Sequence, residues 1–78
     1  MAQNFLSDIK LGDNIYIRLG DATNGDLQIF HNASNSIIRN DTGDLRFIQY
    51  VDDGKIRFYN DNGSGGITEY FRIDGSAE

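Results

Sequence analysis

Cysteine, proline and tryptophan are missing from this chain of 78 residues, histidine occurs once, and acidic residues outnumber basic ones by 12 to 7. Each absence removes a class of explanation. Without cysteine there is no disulfide, no thiolate nucleophile and no Cys-ligated zinc, and the redox compartment is left open. A net charge of −5 argues against a nucleic-acid partner, because such partners are held by clustered Lys and Arg and the arginines here are scattered. No apolar run is long enough to span a bilayer and no charged-then-apolar leader opens the sequence, so the chain reads as soluble with no membrane partner. A chain this short is one small domain, residues 1–78, that hides only about 60% of its unfolded surface. Small cores need disulfides, a metal or oligomerisation for stability. With disulfides excluded, oligomerisation leads.

In place of proline stand abundant Gly, Asn and Asp, residues that reach the backbone conformations of tight turns. They recur at Leu19-Gly20-Asp21, Asn24-Gly25-Asp26, Thr42-Gly43-Asp44, Asp53-Gly54 and Asn62-Gly63. Between them apolar residues alternate with period two. Ile15, Ile17 and Leu19 oppose Tyr16 and Arg18; Leu27 and Ile29 oppose Gln28 and Phe30; Leu45 and Phe47 oppose Arg46; Ile56 and Phe58 oppose Arg57. At the end, Ile67, Phe71 and Ile73 oppose Thr68, Tyr70 and Arg72. Helical spacing of three and four is nowhere sustained, so the sequence predicts an all-β chain of short strands.

A short repeat underlies this pattern. "GDNIYI", "GDLQIF", "GDLRFI" and "GKIRFY" each give a glycine, a polar residue, then apolar-polar-apolar alternation. Turn-strand units that cannot bury a face alone point to a stacked or wound β architecture. Several strands are also apolar on both sides. In "LRFIQYV", Leu45, Phe47 and Val51 lie opposite Ile48 and Tyr50, and Ile37 adjoins Ile38. A sheet with one face in water should not look like this, whereas neighbouring copies of the chain could cover what one copy leaves exposed.

Three segments together resemble a repeat of tail-fibre and related structural proteins of tailed bacteriophages, especially marine ones. "GDLQIFHNASNSIIRNDTGDL" is similar to a DLQIYHDG strand followed by SNSYI and a TGDL or TGNL strand. "DNGSGGITEYFRIDG" resembles the DDGSGG and YFRxDG segment that follows it there, and "SDIKLGDN" resembles the start of such a unit. The likeness runs from about Ser7 to Gly75 with the segments in the same order. It implies a module of a virion fibre: an elongated, intertwined homotrimer, triple-stranded β-helix or β-prism-like, that supports host attachment. The two ends of the chain resemble the two sides of a unit junction, so modules could also stack. The departures are His31-Asn32-Ala33 in place of His-Asp-Gly, which transfers the left-handed position of that turn to Asn32, and the lack of the alternating histidines that collect iron on some fibre axes.

Candidate sites are few. His31 continues the phase of Leu27 and Ile29, so three copies could converge on a threefold axis as a metal site; the plainer expectation is a strand-end residue hydrogen-bonded into the Asn/Ser turn. Asp61 with Asn60 and Asn62, and Asp52 with Asp53, could offer oxygen ligands to calcium, but neither has the ligand spacing of a known loop. No cofactor is expected. Asp52 and Asp53 are neighbours and cannot face each other across a glycosidic bond, and Ser34 and Ser36 lack a nucleophile-elbow context, so no catalytic residue is assigned. The Asn-X-Ser/Thr triplets at Asn32, Asn40 and Asn62 are by-products of Asn-rich turns. Tyr16, Phe30, Tyr50, Tyr59 and Tyr70 interleave with Arg18, Arg57 and Arg72 and could stack on a bacterial surface glycan, but they more readily form cross-strand pairs.

The sequence therefore predicts a structural fibre module whose shared core is Ile15, Ile17, Leu27, Ile29, Leu45, Phe47, Ile56, Phe58, Phe71 and Ile73, with Gly25, Gly43, Gly54 and Gly63 shaping turns. A small antiparallel β-sandwich is the alternative fold. A carbohydrate-binding module and a self-assembling filament subunit are the alternative functions.

Overall fold

The computed structural model describes residues 7–77. Among them there is no helix, and hence none long and apolar enough to cross a membrane. The chain is all-β. It divides into two units, one up to Leu45 and one from Arg46 onward.

The first unit is a three-stranded antiparallel sheet of β1 (Ile17–Leu19), β2 (Leu27–His31) and β3 (Ser36–Asn40), with β2 in the centre. The β1–β2 connection closes on Gly25, whose φ of 78° a residue with a side chain rarely adopts. Its N–H bonds the Ala22 carbonyl at 2.8 Å, and Asp26 N–H returns to the Leu19 carbonyl at 2.6 Å. The β2–β3 hairpin turns through Asn32 to Asn35. There Asn32 Oδ1 accepts the backbone N–H groups of Ser34 (3.0 Å) and Asn35 (2.7 Å), an Asx turn. The left-handed residue is Ala33 at φ 81°, where the sequence pointed to Asn32. Asn32 is committed through its side chain, so the reversal falls on its neighbour.

The second unit is a hairpin of β4 (Lys55–Asp61) and β5 (Ile67–Asp74). Its loop is stitched by Asn62, whose N–H bonds the Gly66 carbonyl (3.0 Å) and whose Oδ1 accepts Ser64 N–H (2.8 Å). Gly63 takes φ 79° there. At the Asp52-Asp53-Gly54 turn the left-handed residue is Asp53 (φ 58°), not Gly54. Gly54 is instead required by space, since a Cβ would come within 2.8 Å of the Val51 carbonyl oxygen.

Three expectations are corrected. Ile15 precedes β1, because a turn drawn by the Ile15 N–H to Gly12 C=O bond (3.2 Å) and a left-handed Asn14 breaks the ladder before Ile17. Leu45 and Phe47 lie in no strand of the described residues: the segment has a strand's residue pattern, but its backbone makes no ladder bonds there. Ile67 does not share a face with Phe71 and Ile73. Phe58 pairs with Phe71 but Tyr59 pairs with Glu69, so Tyr70 is an extra residue and the phase of β5 reverses across this bulge.

The residues named as a core form none within one chain. Among the described residues no apolar side chain is buried; Leu27 and Ile56 are half-buried and the other eight are exposed. The most buried side chain is a polar one, Gln28, at 2% exposure.

Candidate functional site

Register and the two-residue period of a strand sort the side chains of the first sheet onto two unlike faces. Ile17, Ile29 and Ile38 form a row across all three strands, and Leu19 with Leu27 forms the next. His31 and Ser36 continue that face at its end, with His31 Nδ1 3.0 Å from Ser36 Oγ. His31 is thus a strand-end residue joined to the start of β3. Nothing in the sheet covers the isoleucine row, and Ile17, Ile29 and Ile38 are all exposed.

The opposite face is polar and closed upon itself. Arg18, Gln28 and Arg39 lie side by side in register. The Gln28 amide donates to the carbonyls of Gly25 (2.7 Å) and Asn24 (3.1 Å) and to Asp41 Oδ2 (3.2 Å), tying the first turn to the far end of β3. Asp41 also takes Arg39 Nε at 2.8 Å, and these two donors, Arg39 first, hold its carboxyl below the usual carboxylate range. Tyr16 stacks on Phe30 with ring centroids 3.9 Å apart, and the Arg18 guanidinium lies 4.3 Å from the Tyr16 centroid. An open cavity of about 250 Å³ lies among Arg18, Asn24, Gln28, Arg39 and Asp41.

The hairpin repeats this asymmetry with different means. Ile56 and Phe58 face Ile73 and Phe71, the two phenylalanine rings 5.5 Å apart, and together they make an apolar strip. On the other face Lys55 meets Asp74 at 3.7 Å, and Glu69 lies 3.3 Å from Arg57 and 3.7 Å from Arg72. The bulge makes this possible. Strict alternation would put Glu69 on the side of Phe71, and the extra residue at Tyr70 returns it to the arginines. Asp74 is held below the usual carboxylate range chiefly by the Ser76 hydroxyl at 2.6 Å and the Ser76 N–H at 2.9 Å, with Lys55 a smaller cause.

No group of three or more His, Asp or Glu side chains converges as a metal site among the described residues. Asp61 is engaged in its own turn, where Oδ2 accepts Gly63 N–H at 3.1 Å. What the sequence did not disclose is Gln28, read there only as a polar residue of a strand face. A long amide flanked by turn residues is an ordinary pattern, and only the register shows that its carbonyl partners lie within reach.

These features define a class: an all-β chain with strands that are apolar on one face, held by polar networks on the other, and with no buried apolar core among the described residues. Compared with protein-family models, with curated proteins and with solved structures, the chain finds no match.

Proposed function

We propose that the chain is a structural module of a phage tail fibre or a similar virion appendage, working as a homo-oligomer, with three copies the expected number. One observation carries this reading: both sheets present an apolar face, and no apolar side chain of the described residues is buried. Removing apolar surface from water yields about 25 cal/mol per Å², and ordering a chain costs roughly 1.5 kcal/mol per residue. A single copy gains little of the first and bears all of the second. Copies that set Ile17, Ile29 and Ile38, or Phe58 and Phe71, against one another recover the missing term. The role is mechanical: a stiff β-rod whose chains cannot separate without exposing these faces.

The glycan-binding alternative draws less support. Tyr16 has Phe30 on one side and Arg18 on the other, so the best-formed aromatic cluster is occupied by its own chain. Light scattering across a dilution series, read with circular dichroism, tests the proposal. A trimer mass at micromolar chain, with mass and β signal lost together on dilution, is the expected result. A folded monomer at every concentration defeats it, and fibrils in the electron microscope would favour the filament subunit.

A further inference from the structure

We propose that Leu45 to Val51 is an assembly strand, unpaired in one copy of the chain and completed by adding to an outer edge, β1 or β3, of the three-stranded sheet in a second copy. The inference rests on the oligomeric reading above and names the segment that makes the ladder between copies.

Three observations point to it. First, the segment repeats the central strand. Gly43-Asp44-Leu45-Arg46-Phe47-Ile48 matches Gly25-Asp26-Leu27-Gln28-Ile29-Phe30 in every apolar position, and the two leading glycines take nearly the same φ, 75° and 78°. One copy of the motif became β2, bonded on both sides by β1 and β3. The other follows a glycine of similar φ and belongs to no strand among the described residues.

Second, its main chain is unspent. From Asp44 to Tyr50 no backbone N–H or C=O makes a hydrogen bond within the described residues. Seven residues rich in aromatic and branched side chains, without glycine or proline, are the composition that a free strand edge recruits.

Third, the segment is apolar on both sides and solvated on both. Phe47 and Ile48 point to opposite faces if extended, yet both are exposed, and Tyr50 is 93% exposed. A strand added beside the sheet could place Leu45 and Phe47 on the face of Ile17, Ile29 and Ile38, one residue in that row and the other in the next. The fit is to this chain's own strands, because β2, the segment's sequence twin, is already paired by them. That similarity selects a second copy over a foreign protein as the occupant.

Amide hydrogen exchange on the full chain, at concentrations above and below the dissociation midpoint, tests this. Protection of residues 45–50 that is present in the oligomer and lost on dilution is expected. An oligomer whose 45–50 amides exchange as fast as a loop overturns the assembly strand while leaving the oligomeric reading intact. Protection that persists in dissociated chains also overturns it, since the segment then pairs within its own copy. A monomer at all concentrations removes the oligomeric reading itself. Two proline variants, Phe47→Pro and Ile48→Pro, provide a second test, because successive residues direct their N–H groups to opposite sides. At least one should raise the dissociation midpoint tenfold or more, while β2 and β4 amides keep their protection in that variant when it is held above its own midpoint. No change in either variant counts against the proposal.

Discussion

The two units solve the same problem with different materials. Both set a polar face against an apolar one that lies open to solvent. The three-stranded sheet organises its polar face around one buried amide, Gln28, that binds two carbonyls and a carboxylate. The hairpin uses ion pairs, Arg57 and Arg72 on Glu69 and Lys55 on Asp74, all at least partly in water. A buried hydrogen-bonding group is costly to lose, because its partners are left unpaired. Ion pairs that water reaches and that stand 3.3 to 3.7 Å apart contribute little each. A two-stranded hairpin is also marginal alone, where three strands can be stable. The sheet should therefore be the more robust half, and its weak point should be a single residue.

The largest expected effect follows from that. Gln28→Leu keeps the bulk but strips the donors from Gly25 and Asn24 carbonyls and from Asp41, and should cost about 2–3 kcal/mol. Hydrogen exchange resolved by strand is the measurement, with β2 and β3 amides accelerated and β4 and β5 amides unchanged. Equal acceleration in the hairpin would show that the units unfold together, and the comparison between them would fail.

Next come the two glycines that open the repeated motif. At Gly25 a Cβ would lie 2.9 Å from the Arg18 Cβ and 3.1 Å from the Leu19 nitrogen, in addition to the positive φ. At Gly43 the same φ faces open space. Gly25→Ala should thus cost about 2 kcal/mol or more and Gly43→Ala about 1 kcal/mol, the latter from left-handed strain alone. Urea titration of both variants checks the order. A larger loss at Gly43 would mean that something covers that turn in the assembled protein.

How far the sequence discloses this fold depends on whether a segment's partner is local. The alternation of Leu27 to Phe30 and of Ile56 to Phe58 sufficed to place β2 and β4, since each hairpin partner lies a short turn away. The same alternation at Leu45 to Val51 gave no strand within one copy, because alternation reports what a segment can do and not which strand it pairs with. The bulge at Tyr70 was hidden for a related reason. It changes which face Glu69 occupies and brings it to Arg57 and Arg72, which lie across the hairpin or beyond the bulge, so no local pattern marks it. At the candidate site, His31 could be placed from its phase at the end of a strand. Gln28 could not, since its partners Gly25 and Asp41 meet only after β3 folds back.

Ala33 gives a prediction of opposite sign. Its φ of 81° belongs to the left-handed region that glycine enters without a Cβ penalty. Ala33→Gly should stabilise the sheet by about 1 kcal/mol, the strain relieved being partly offset by the greater freedom of the unfolded chain. Thermal unfolding would show it as a rise in midpoint. A fall would mean that the Asn32 side-chain bonds to Ser34 and Asn35, and not the turn residue, set the energy of this hairpin.

The smallest effect concerns protons in the hairpin. Asp74 has a lowered pKa when folded, so its contribution to stability is present above the ordinary carboxylate value and is lost as pH falls through the lowered folded one. The Ser76 hydroxyl and N–H are the leading causes, and the Lys55 ammonium at 3.7 Å is a lesser one. Ser76→Ala should therefore move the Asp74 titration, followed by carboxyl NMR, further toward its ordinary value than Lys55→Met does. Added salt should shift the Lys55 share and leave the Ser76 share in place, since screening acts on separated charges more than on a direct hydrogen bond. If Lys55→Met had the greater effect, long-range charge and not the turn after β5 would govern this end of the hairpin, and the hairpin would depend on its ion pairs more heavily than their exposure allows.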